Sequence, residues 1–133
     1  MTTLSTRIAN ATAPDRELDA EIAKAAGYTC QPDGYGIGND WYDPSGKKMK
    51  DWGTPMGSRP PSYTSSVDAA LTLVPGAMDV GMAWDWNERC AVVIVGPNAL
   101  AGFPLADAKA SHLNRDIALA QAIAAAAMKA RGL

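Results

Sequence analysis

The chain has 133 residues, of which 47% are apolar and 20% charged, and its formal net charge is −2. A chain of this size buries about two thirds of the surface its unfolded form exposes, so a core can form without disulfide or metal staples. The slight negative charge removes the electrostatic case for nonspecific nucleic-acid binding. The longest uninterrupted apolar run, Ala122 to Met128, falls well short of the ~20 residues of a membrane span. Around Arg7 there is no apolar stretch followed by a small-residue cleavage site, so no signal peptide is expected. A cytoplasmic setting is the default.

In chain order, Leu4 and Ile8 form one stripe of a first short helix over 3–11. Thr12, Pro14 and Asp15 open a second, with Thr12 as the expected cap and Asp15 in the first turn. Leu18, Ile22 and Ala25 or Ala26 make its buried stripe, and Gly27 stops it. Residues 28–61 change character: glycine, proline and aromatics are frequent, and the segment reads as a loop-rich insert in a single domain spanning 1–133. Within it, Asp43-Pro44-Ser45-Gly46 has the composition of a turn joining a strand around Trp41 to another around Met49 to Trp52.

Ser65 is expected to begin the next helix, with Asp68 three residues on and Pro75-Gly76 closing it. From Met78 to Trp86, apolar residues alternate with Asp79, Gly81, Ala83 and Asp85, the clearest strand signal in the chain. A tight connection through Asn87-Glu88 leads to Cys90–Val95, a strand apolar on both faces, as for an interior strand covered on both sides. The stretch 96–111 reads as a loop. Asn114 caps a last, alanine-rich helix running to about Arg131. Its small side chains suit close packing.

The segment Arg16–Ala23 followed by Gly27-Tyr28, the central Tyr63-Thr64-Ser65-Ser66-Val67-Asp68-Ala69-Ala70-Leu71, and the closing helix Arg115–Arg131 together resemble the phage ABA sandwich domain family. The resemblance covers 4–131 and departs from the commoner pattern at 31–58. It implies an α+β fold, an α-β-α sandwich in which a small antiparallel sheet is covered by helices on both faces. It also implies a small bacteriophage or prophage protein without an assigned enzymatic activity, working in the host cytoplasm.

The chemistry-bearing residues are sparse. His112 is the single histidine and Cys30 and Cys90 the two cysteines, far apart in sequence and without metal-ligand spacing. No metal, cofactor or catalytic residue is expected. Tyr63, Thr64, Ser65, Ser66 and Asp68 offer hydroxyls and a carboxylate at a helix start, an arrangement that binds anions or serves as a capping box. Trp84 and Trp86 share one strand face and would either stack on a ligand or sit in the core under a helix. Gly34-Tyr35-Gly36-Ile37-Gly38 has the composition of a phosphate loop without the flanking strand and helix, and reads as a surface turn.

The leading expectation is a non-enzymatic accessory protein that binds a host protein or a small ligand, such as a nucleotide signal of antiviral defence. Trp41, Trp52, Arg59, Tyr63, Ser65, Trp84 and Arg89 are its candidate ligand-binding residues. One alternative is a carboxylate-based, metal-assisted hydrolase using Asp33, Asp40, Asp43, Asp79 and Asp85. Another is a minor virion component.

Overall fold

The computed structural model describes residues 3–32, 39–49, 60–99 and 104–133. The class is α+β, with small antiparallel sheets packed with helices, as expected. The chain divides into two compact units, Met1–Leu18 with Ser62–Leu133, and Asp19–Pro61.

In the first unit α1 spans Leu4–Ala9, capped by Thr3, whose hydroxyl accepts from the Thr6 N–H. Helix α3 (Val67–Leu71) precedes and helix α4 (Arg115–Ala130) follows a three-stranded sheet of order β3-β4-β5, with β3 at Asp79–Asp85, β4 at Cys90–Gly96 and β5 at Ala106–Ser111. Neighbouring strands are antiparallel, with Trp84 opposite Ala91, Met82 opposite Val93, and Ala91 opposite Ala110.

Helix α4 is the hub. It packs on β4 and β5, and α1 and α3 pack on it. Every residue from Ala120 to Met128 is buried, as required of a helix with neighbours all round. Alanine at Ala118, Ala120, Ala122 and Ala124–Ala127 lets those neighbours approach closely. Ala91, Val93 and Val95 of β4, with Ala106 and Ala110 of β5, form the buried sheet face. The one discordant core side chain is Gln121, fully buried with neither amide atom hydrogen-bonded among the described residues.

Three expectations for this unit change. First, 96–111 is not all loop: Ala106–Ser111 is the edge strand β5. Its alternation of alanine with Asp107, Lys109 and Ser111 is period two, carried by residues of low strand preference. Second, β4 is the central strand but its second face is incompletely covered among the described residues: Cys90 is buried there and Ile94 half-buried. Val92, between Ala83 and Lys109 on the face away from Ala91 and Val93, stays 38% exposed. Third, Trp86 lies beyond the end of β3. There the Asp85 carboxylate accepts from the Asn87 and Glu88 N–H groups and starts the turn.

Helix α2 (Arg16–Ala25) begins in the first unit and continues into the second. Its cap is Asp15, not Thr12: the Asp15 carboxylate accepts from the Glu17 and Leu18 N–H groups at 2.8 and 3.1 Å. The Asp15 N–H is held in turn by the buried Thr64 hydroxyl at 2.9 Å. Gly27, at φ +100°, ends the helix in a conformation that L side chains avoid.

The second unit's strands are β1 (Thr29–Pro32) and β2 (Asn39–Tyr42), paired antiparallel with Cys30 opposite Trp41. The expected turn is present: the Gly46 N–H bonds the Asp43 carbonyl at 2.9 Å. The Asp43 carboxylate accepts from the Ser45 hydroxyl at 2.5 Å and from the Ser45 and Lys47 N–H groups, each at 2.9 Å. Of the strand expected at 49–52, residues 50–52 lie outside the described residues; just before it Lys48 bridges Tyr42, and the Met49 N–H bonds the Trp41 carbonyl at 2.7 Å. No helix among the described residues is long and apolar enough to cross a membrane.

Candidate functional site: a cleft beside strand β3

Helix α4 lies over β4 and β5 and touches β3 little, so the helix-facing side of β3 overhangs. The space beside it is a cleft of about 680 Å³, within the size range of ligand sites. Met82 and Trp84 form its floor, the start of α3 one wall and the start of α4 the other.

The local sequence explains each wall. Ala91, opposite Trp84, leaves room for an indole ring. Ser66 caps α3, its hydroxyl accepting from the Ala69 N–H at 3.2 Å, and places Asp68 in the first turn. Asn114 caps α4, its carboxamide oxygen accepting from Asp116 and Ile117 at 2.9 and 3.3 Å, and presents Arg115 and Asp116 to the cleft.

Trp86 extends the rim. It is 71% exposed, yet it is held on two sides. Its ring meets Trp84 edge to face, with centroids 5.9 Å apart and planes at 89°. The Arg115 guanidinium stands 5.9 Å from its centroid. Each such contact is worth roughly 0.5–1 kcal/mol at an exposed position. The indole Nε1 of Trp84 is buried and has no partner among the described residues. One guanidinium faces two carboxylates here. Arg115 and Asp116 approach at 3.8 Å, and Asp68, in the first turn of α3, makes no ion pair among the described residues.

The candidate residues fall as follows. Ser65 and Trp84 meet in the cleft. Ser65 does not cap α3, since that role belongs to Ser66; its hydroxyl lies near the Ser62 carbonyl. Tyr63 is 1% exposed and belongs to the core. Arg89 is exposed in the β3–β4 turn at φ 51°, outside the cleft lining. Trp41 is buried in β2 of the second unit. Trp52 and Arg59 lie outside the described residues, as do Asp33 and Gly34–Gly38. The sequence reading missed Arg115 and placed Trp86 in a strand. The one signal for Arg115 is its position directly after the Asn114 cap, which fixes its place at a helix start.

The cleft lining combines apolar and aromatic side chains with hydroxyls and charges. No hydroxyl of the cleft has an imidazole beside it: the Nδ1 of His112 accepts from the Asn114 N–H at 2.9 Å. Asp79 and Asp85 stand at opposite ends of β3, about 20 Å apart at ~3.3 Å per residue, so they cannot work on one substrate atom. Among the described residues no three of His, Cys, Asp and Glu gather at one point. Asp43 is held below the usual carboxylate range by the Ser45 hydroxyl first and the Lys47 N–H next, which suits a turn anchor. Comparisons with protein-family models, curated proteins and solved structures found no match to this chain.

Proposed function

We propose that this chain is a non-enzymatic binding protein, an accessory protein of a bacteriophage or prophage, that engages a host protein in the host cytoplasm through the cleft beside β3. The observation that carries this reading is Trp86. A large apolar ring stands mostly in solvent, yet is pre-oriented by Trp84 and Arg115 beside an open cleft. Exposed tryptophan and arginine held in place are the residue types that dominate protein–protein recognition, and pre-orientation lowers the entropic cost of binding. The phage assignment draws on the resemblance of the Tyr63–Leu71 and Arg115–Arg131 segments.

An indole beside a guanidinium also suits a nucleotide. The surplus of carboxylates at Asp68 and Asp116 opposes a multiply phosphorylated ligand and favours a protein partner. Affinity capture from host lysate, comparing the wild type with Trp86→Ala and Arg115→Ala, tests the proposal. The expected result is a protein enriched by the wild type and lost at least tenfold in both variants, each folded by circular dichroism. Equal capture by all three would refute the cleft as the binding site. A thermal shift with cyclic nucleotides and none with protein would transfer the role to a small ligand.

A further inference from the structure

The cleft has one open backbone wall. Strand β3 stands at the sheet edge. The Arg89 carbonyl accepts from the His112 N–H at 3.2 Å and the Val95 carbonyl from the Leu105 N–H at 2.9 Å. The odd-numbered residues of β4 therefore bond towards β5, because successive residues of a strand turn their backbone groups to opposite sides. The even-numbered ones bond towards β3, through Gly81, Ala83 and Asp85, which stand opposite Ile94, Val92 and Cys90. That leaves Val80, Met82 and Trp84 with N–H and C=O turned away from β4. No backbone partner for them exists among the described residues.

Edges of this kind are normally blunted by lysine, proline or a bulge inside the strand. Here Val80-Gly81-Met82-Ala83-Trp84 carries no charge, and the exposed acids Asp79 and Asp85 stand only at the two ends. The residues with open backbone groups also carry the side chains of the cleft: Met82 is 44% exposed, and Trp84 is half-buried. On the cleft side Asp68 and Asp116 stand with Arg115, and on the other face the exposed Asp79 and Asp85 flank the edge, with Lys109 near Asp85.

We infer that β3 accepts a fourth strand: an extended segment of a partner protein in which apolar side chains alternate with lysine or arginine. Its backbone pairs with Val80, Met82 and Trp84, its apolar side chains enter the cleft, and its cations, on the opposite face, meet Asp79 and Asp85. A second copy of this chain is the poorer occupant. An antiparallel pairing of two β3 strands about Met82 sets Asp79 opposite Asp85 at both ends, and like charges directly opposite are destabilising.

This inference rests on the cleft being the binding site, and its test separates the two. The probe is a fluorescent peptide of about eight residues, alternating lysine and valine, long enough to cover β3. Anisotropy is expected to report saturable binding to the full chain that weakens with salt. A glutamate–valine peptide should bind at least tenfold more weakly. N-methylation of alternate peptide amides should cost at least tenfold again. Amide hydrogen exchange should slow at Val80, Met82 and Trp84, while Gly81 and Ala83, bonded to β4, change little. Met82→Pro should abolish binding without unfolding the sheet, because its N–H faces outward. The N-methylated peptide makes the same point should that variant fail to fold.

Binding that ignores N-methylation would overturn strand addition while leaving the cleft as a binding site. No binding of any alternating basic peptide would overturn it too, while capture from lysate that depends on Trp86 would keep the broader reading. A concentration-dependent dimer protecting the same three amides would replace the partner with a second copy and overturn the inference.

Discussion

Gln121 lies in the middle of α4 with both amide atoms buried and no hydrogen-bond partner among the described residues. Leaving a buried donor or acceptor unmade costs roughly 1–3 kcal/mol, whereas an apolar group of the same shape carries no such penalty. Methionine matches glutamine in length and lack of branching and fills irregular space. Gln121→Met is therefore expected to stabilise the chain by about 2 kcal/mol. For a chain of this length that corresponds to a rise in Tm of about 7 °C. With a urea m-value near 1.5 kcal/mol/M, the urea midpoint should rise by about 1 M. Gln121→Glu provides the opposite arm, since an ionised carboxylate at the same place should destabilise by several kcal/mol at neutral pH or force its own protonation. Urea unfolding followed by circular dichroism reads both. Loss of more than about 1 kcal/mol in Gln121→Met would show that the amide is satisfied, and that the packing of α4 differs from the one described.

Other outcomes follow from the same packing. A Cβ added at Gly96 would lie 2.6 Å from the backbone nitrogen of Leu105, which cannot swing aside, so Gly96→Ala should cost roughly 1–3 kcal/mol in chemical unfolding. Ala124→Leu forces bulk into the most crowded stretch of α4 and should cost at least that much, seen as a lower Tm or as loss of a dispersed NMR spectrum. The Asp43 carboxyl has a folded pKa below its ordinary 3.8, so its contribution to the 43–46 turn is fully present above that pH and fades only as pH falls through the lower folded value. A carboxyl-detected NMR titration should show Asp43 titrating below its ordinary 3.8, with the Ser45 and Lys47 amides moving in step.

The strongly punctuated elements were legible in the sequence. Asn114 before the alanine helix, Gly27 after α2 and the period-two run in β3 each have a local physical cause that no distant contact overrides. Caps were harder where several capping residues compete: Asp15 displaces Thr12, and Ser66 displaces Ser65, because a cap is selected by where the chain enters the helix. Strand β5 was missed because alanine signals a strand weakly, and its role depends on close packing under α4. Trp86 was misplaced because apolar alternation runs past the point where the Asp85 carboxylate turns the chain. Of the site, Trp84 and Ser65 were legible. Arg115 was not, since its value comes from standing over an indole that belongs to another segment.

The placement of α4 also bears on biosynthesis. The ribosome delivers α1, α3 and all three strands before the helix they surround. Until residues 115–130 emerge, the exposed faces of β3–β5 have nothing to close against, and nascent chains paused upstream should stay protease-sensitive and dependent on chaperones. Assembly of this unit is therefore a late event, triggered by the arrival of one helix.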